Sequence, residues 1–175
     1  MKNGIINDMK FSLKQILIRM AEADVRFVVA GGVAAVLHGV ERLTLDLDVA
    51  LQMTPSNLEK FLTVMKDFDL TPRVPVAPEV LLDPSAVRRI VEEKHAVVFT
   101  FHDVDRPLHH VDIFLTENLS YDALAADSIV VPVEGREVHV VSLSKLIDLK
   151  EQIDPPRPKD EMDLKELKRV RRKGK

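Results

Sequence analysis

A chain of 175 residues fits one compact domain with little room for a second, and 46% hydrophobic with 30% charged residues excludes wholesale disorder, since a domain of this size buries roughly 70% of its unfolded surface. The absence of cysteine excludes a disulfide scaffold, a thiolate zinc or iron–sulfur site and a cysteine nucleophile. No apolar run reaches the length of a membrane span, and Met1 to Lys10 lack the apolar core of a signal peptide, so a cytoplasmic protein is expected. The net charge of −3 hides an asymmetry: residues 165–175 hold seven Lys or Arg and one Glu, leaving 18 cations against 27 anions before them. Such a tail either follows RNA or another polyanion by counterion release or is a solvated helix end.

Leu13, Ile16, Leu17, Met20 and Ala21 follow the spacing of an amphipathic helix that should stop near Asp24. Val25 to Ala30 is a β-branched, apolar run and predicts a strand. Gly31-Gly32 breaks it, and Val33 to Leu37 predicts a short helix closed by Gly39. Leu45, Leu47, Val49 and Leu51 alternate with Asp46, Asp48 and Ala50, a strand with one apolar and one polar face. Thr54-Pro55 opens a helix striped by Leu58, Phe61, Leu62 and Met65. Asp69 to Pro84 carries four prolines and predicts a long loop, after which Asp83-Pro84 starts a helix reaching about Lys94.

Ala96 to His102 and His109 to Leu115 predict a hairpin turning around Asp103 to Pro107. Ser120 to Asp127 reads as a helix, and Ile129 to Val133 with Arg136 to Val141 as a second hairpin turning at Glu134-Gly135. Ser142 caps a helix carrying Leu143, Leu146 and Ile147, Pro155 to Pro158 is a stiff linker, and Leu164, Leu167 and Val170 stripe a last helix over 155–175 that ends in the basic tail. The expected class is α+β or α/β, a mixed sheet flanked by helices.

Two features carry chemistry. Asp46 and Asp48 leave one strand face together, with Cα atoms roughly 6.5 to 7 Å apart. Paired carboxylates resist joint ionisation unless a cation sits between them, and hard oxygen ligands select Mg²⁺ or Mn²⁺. The plain alternative is an edge strand whose outer face is polar. A strand followed by Gly31-Gly32 and a helix start is a phosphate-binding geometry, although it lacks the P-loop and G-x-G-x-x-G patterns and also reads as an ordinary turn. His110-x-Asp112 raises a hydrolytic metal site, but His95, His102, His109 and His139 share no spacing with it.

In combination, Gly31-Gly32, Gly39, Arg42, Thr44, Asp46 and Asp48, in the run GGVAAVLHGVERLTLDLDVAL, resemble the signature of the polymerase-beta-like nucleotidyltransferase superfamily. The R-x-T-x-D-x-D form is similar to small bacterial members, among them the nucleotidyltransferase toxins of abortive-infection systems. Val111-Asp112-Ile113 matches the later strand that supplies a third carboxylate. Leu143 to Lys150 and Arg157 to Leu167 resemble the Lys-bearing helix and the basic-Asp-x-x-Asp segment of the toxin-like members.

The resemblance implies a nucleotidyltransferase fold and metal-dependent transfer of a nucleoside monophosphate from an NTP such as ATP. Asp46, Asp48 and Asp112 would hold Mg²⁺ or Mn²⁺, and Asp112 would help take the acceptor proton. Gly31 and Gly32 would cradle phosphates, Arg42 and Lys150 would face the triphosphate, and Thr44 would bond locally to the backbone. Lys150, Asp160 and Asp163 also read as mere helix-terminus charges. The chain departs from the pattern where many members have Gly-Ser, and where many carry a large C-terminal acceptor domain. The acceptor hydroxyl is therefore expected on RNA such as tRNA, on a toxin partner in an antitoxin role, or on a small molecule such as an antibiotic. A non-catalytic nucleotide-binding module is the remaining alternative.

Overall fold

The computed structural model describes residues 12–174. The reading of Met1 to Lys10, and the last lysine of the tail, lie outside the described residues. Helix α1 (Leu13–Glu22) precedes strand β1 (Phe27–Ala30), which runs without a loop into α2 (Gly31–Leu37). Strand β2 (Asp46–Leu51) and α3 (Pro55–Asp67) follow, then a two-residue strand β3 (Thr71–Pro72), a 3₁₀ turn (Pro78–Leu82) and α4 (Pro84–Lys94). Strands β4 (Val98–His102) and β5 (His110–Phe114) lead through a second 3₁₀ turn (Glu117–Leu119) to α5 (Tyr121–Ala125). The chain closes with β6 (Ser128–Val133), β7 (Arg136–Val141), α6 (Leu143–Glu151) and α7 (Pro158–Lys173).

The strands form one seven-stranded mixed sheet in the order β3-β4-β5-β2-β1-β7-β6. β2 pairs parallel with β5 and antiparallel with β1, while β1 pairs parallel with β7. The two expected hairpins are the antiparallel pairs β4–β5 and β6–β7. β2 is the central strand of the seven, which overturns the reading of Asp46-x-Asp48 as the polar face of an edge strand. A polar face in mid-sheet is not explained by solvation of an edge and needs a site to account for it.

Alternation assigns the faces. Leu47, Val49, Val111, Ile113, Phe99 and Phe101 point away from the carboxylates and are buried. The side chains of α1 and α3 close this layer, with Ile16, Met20, Leu58 and Phe61 fully enclosed. Phe61 meets Phe101 edge to face, centroids 5.6 Å apart, an arrangement worth about 0.5–1.5 kcal/mol beyond the area buried. On the other flank α2 packs on β1 and β2, α6 on α2, and α7 on α6.

Local chemistry sets the element ends. Gly39, at φ +95, closes α2: its N–H donates to Val36 O at 2.9 Å and that of Val40 to Ala35 O at 3.0 Å, the doubly bonded terminus that glycine permits. Asp83, Ser120 and Ser142 accept from the backbone N–H of Ser85, Ala123 and Lys145 and cap α4, α5 and α6. β1 starts two residues later than expected, at Phe27, and just before it Asn57 wedges into the pairing: its Oδ1 accepts from Arg26 N at 2.7 Å and its Nδ2 donates to Arg26 O at 3.0 Å and to Gln52 O at 2.8 Å, while Gln52 N still donates to Arg26 O at 3.1 Å. The expected loop from Asp69 to Pro84 is instead partly ordered into β3 and a 3₁₀ turn. Buried Leu70 and Leu81 pin it, and Arg73 N donates to Thr100 O at 2.9 Å.

Candidate active site

The site grows from the register of three strands. Asp48 lies directly beside Asp112 across the parallel β2–β5 pair, and Asp46 beside His110. On the other side of β2, Asp48 faces Ala30, the last residue before Gly31. The three carboxylates expected from the sequence are thereby brought onto one face of adjacent central strands, next to the glycine pair.

Each is held differently. Thr44 Oγ1 lies 2.8 Å from Asp46 Oδ1 and 3.2 Å from Asp46 O, so the threonine makes the expected local backbone contact and also orients a carboxylate. Thr100 Oγ1, opposite Asp112 in the register, donates to Asp112 Oδ1 at 2.5 Å. His110 Nε2 stands 3.6 Å from Asp112 Oδ2, with Nδ1 2.9 Å from Leu108 O. Burial pushes the Asp48 carboxyl up to about 6, the charges of Asp46 and Asp112 add to the effect, and Lys159 and His110 oppose it. Burial also acts on Asp46, but the Thr44 hydroxyl, Lys159, its own backbone and His110 outweigh it and hold that carboxyl below its usual range.

The glycine pair is shaped by its neighbours. Gly31 has φ +60, and a β-carbon there would lie 1.9 Å from Asp48 Oδ2; one on Gly32 would lie 2.8 Å from Thr44 Oγ1 and 3.2 Å from the Arg42 guanidinium. Both glycines therefore make room for the residues that follow them in the motif.

Opposite the sheet, the start of α7 contributes charge. Lys150 is buried, its Nζ 2.8 Å from Asp163 Oδ2 and 3.3 Å from Asp160 Oδ1. Arg42 also pairs with Asp163, and Arg157 Nε lies 2.6 Å from Asp160 Oδ2. Asp160 is held below the ordinary carboxylate range because Arg157 and Lys150 overcome its burial. Arg157 is raised, chiefly by its hydrogen bond to Asp160 and further by Asp48 and Asp46. Three cations thus share two buried carboxylates.

Between sheet and α7 opens a cleft of about 360 Å³. Gly31, Gly32, Arg42, Asp46, Asp48 and Lys150 line it, joined by Arg157, Lys159 and Asp160. Thr44 and Asp112 do not line it: Thr44 bonds Asp46, and Asp112 lies beside Asp48 one strand over. Arg157 and Lys159 are contributions that sequence reasoning did not assign, although the basic-Asp-x-x-Asp segment contained the signal. Lys159 bears on both carboxylates of β2 electrostatically. Among the described residues no three Asp, Glu, His or Cys side chains already converge as a metal cage. The oxygen-only donors Asp46 and Asp48, with Asp112 one strand away, nevertheless have the chemistry a hard divalent cation takes. No described helix is long and apolar enough to cross a membrane.

No protein-family model matches the chain, and no curated protein matches its sequence. Among solved structures it is similar to the crystal structure of the lincosamide antibiotic adenylyltransferase LnuA with lincomycin bound. The TM-score is 0.52 at 14% sequence identity, over 82% of this chain and 86% of that one. The likeness is one of fold, and the chain has the mixed α+β architecture of a nucleotidyltransferase.

Proposed function

We propose that the protein is a metal-dependent nucleotidyltransferase that moves a nucleoside monophosphate from an NTP to an acceptor hydroxyl. The observation that carries this reading is the placement of Asp46, Asp48 and Asp112 on one face of adjacent central strands, beside Gly31-Gly32 and across a cleft from Arg157 and Lys159. Mg²⁺ or Mn²⁺ held by Asp46, Asp48 and Asp112 would offset triphosphate charge and make the acceptor hydroxyl more acidic. Thr44 and Thr100 fix the carboxylates that would do the holding. Lys159 and Arg157 would meet the phosphates from the α7 side, with Arg42 and Lys150 supplying the remainder of a positive field already shared with Asp160 and Asp163. The acceptor oxygen bonds to the α-phosphorus, the bond to the β-phosphate oxygen breaks, pyrophosphate leaves, and Asp112 takes the acceptor proton.

Three acceptor classes follow: RNA such as tRNA with a defence or toxin role, a protein partner in an antitoxin role, and a small molecule. The last is supported by the structural neighbour, an adenylyltransferase of a lincosamide antibiotic. The basic tail gives RNA less support than its charge suggests, because Lys168 pairs with Glu151 at 2.5 Å and Arg169 with Glu166 at 3.1 Å. The test is incubation with each α-labelled NTP, Mg²⁺ and total RNA, cell extract or a small-molecule panel. Label on an acceptor with release of pyrophosphate supports the reading; nucleotide binding with no release under any condition would leave only a binding module.

A further inference from the structure

The cleft between the sheet and α7 is not uniform along its length. Its floor runs from Asp46 to Asp48, which stands beside Asp112, and on to Phe114, two residues beyond Asp112 on β5. Two residues of strand span about 7 Å and keep to one face. Phe114 therefore lies past the carboxylates, on the side away from Asp46.

Beyond that point the lining changes character. Phe114 is the one aromatic ring among the lining residues, and Leu119 follows it from the 3₁₀ turn after β5. Leu146 and Leu149 of α6 add apolar surface, continued by Ile153 just past the helix end. Two neutral carboxamides stand among these side chains: Asn118 next to Leu119, and Gln152 next to Ile153. Both residues are exposed, and neither side chain is hydrogen-bonded to another of the described residues. The charged lining residues are the two carboxylates of β2, Lys159, and Arg42, Lys150, Arg157 and Asp160, which pair among themselves and with Asp163. Asn118 and Gln152 are the remaining polar side chains of the lining.

We infer that the end of the cleft past Phe114 is the nucleobase subsite, that Asn118 and Gln152 read the base edge, and that the base is adenine. The inference rests on the nucleotidyl-transfer reading and names the nucleotide that reading leaves open. A triphosphate at Gly31-Gly32 extends its nucleoside along the floor toward Phe114. A base has a flat apolar face and a polar edge, and this end of the cleft offers a ring and aliphatic side chains for the one and carboxamides for the other. A carboxamide sets an acceptor beside donors, the complement of the amine and ring nitrogen of adenine. Guanine is matched best by Arg or Lys, and the cytosine amine by Asp or Glu; here those residue types are engaged around the carboxylates and under α7.

The test is calorimetric titration of non-hydrolysable ATP, GTP, CTP and UTP analogues, and of inorganic tripolyphosphate, each with Mg²⁺, into the full chain. The ATP analogue should bind at least about tenfold tighter than the other three nucleotides. Asn118→Ala and Gln152→Ala should each weaken it about fivefold and narrow the preference, while tripolyphosphate, which has no base, binds them as it binds the wild type. Phe114→Leu should weaken all four nucleotides about tenfold by removing the stacking ring. Circular dichroism establishes that Phe114→Leu is folded, and the two variants at exposed positions carry the test if it is not. Equal affinity for the four nucleotides, preference for another base, or unchanged ATP-analogue affinity in both amide variants overturns the inference. So does an equal loss of tripolyphosphate binding in those variants. Tripolyphosphate binding that no base improves overturns this inference alone. Absent binding of both tripolyphosphate and nucleotides overturns the transferase reading beneath it.

Discussion

Gly31 and Asp48 claim the same space: a β-carbon on the glycine would stand 1.9 Å from Oδ2 of the aspartate and 2.7 Å from its Cγ. The glycine was expected to matter for its backbone at a phosphate. Its first role is to let the central carboxylate stand where it does.

Gly31→Ala therefore does two things. The positive φ costs about 1–2 kcal/mol in any background, and the clash expels the Asp48 carboxylate, which should add to that cost and abolish the proposed Mg²⁺-dependent nucleotide binding. In an Asp48→Ala background the two closest atoms are gone and only the 3.0 Å contact to Cβ remains, so the alanine should cost less there. Urea denaturation of the four proteins measures this coupling, and strict additivity would contradict the contact.

Asp48 gives a pH signature. Its carboxyl is pushed from 3.8 to about 6, so between those values the folded state holds a proton that the unfolded state has released. Stability then falls as pH rises from about 4 to 6, by on the order of 3 kcal/mol at about 1.4 kcal/mol per unit. Carboxyls held low, such as Asp46 and Asp160, lose their stabilisation only below their usual range, outside this window. In metal-free buffer Asp48→Asn should remove the slope and melt above the wild type at pH 7. Parallel pH profiles of the two proteins would contradict the assignment.

The charge network under α7 predicts unequal costs. Lys150→Met removes the buried cation that Asp160 and Asp163 share, leaving them Arg157 and Arg42, and should destabilise by about 1.5–3 kcal/mol. Arg157 is 59% exposed at its side chain, and its replacement by Ala should cost no more than about 1 kcal/mol, while weakening nucleotide binding through lost charge in the cleft. Equal destabilisation by the two, measured by denaturant melts, would contradict a buried hub at Lys150.

Much of the fold is legible in the chain because local signals agree with it. Asp83, Ser142 and Gly39 mark helix ends by their own chemistry, and the Glu134-Gly135 turn separates β6 from β7 where expected. What escaped is non-local. Nothing within residues 45–51 says that β2 is central, since that follows from pairing with β1 and β5. Likewise Asn57 serves Arg26 from 31 positions away, and Leu81 orders a proline-rich stretch by reaching the core. At the site, the carboxylates were visible from their spacing and resemblance. The roles of Thr100, Arg157 and Lys159 were not, because each depends on an element brought alongside by the sheet or by α7 rather than on a neighbour in sequence.

The central claim is that the carboxylate face of β2 and β5 binds a nucleoside triphosphate with a divalent ion. It is tested most directly by calorimetric titration of a non-hydrolysable ATP or GTP analogue into the protein, with and without Mg²⁺, beside the double variant Asp46→Asn plus Asp48→Asn. Binding that requires Mg²⁺ and disappears in the folded double variant is the predicted result. Binding indifferent to Mg²⁺ or to the loss of both carboxylates would contradict it, as would no binding to the wild type at all.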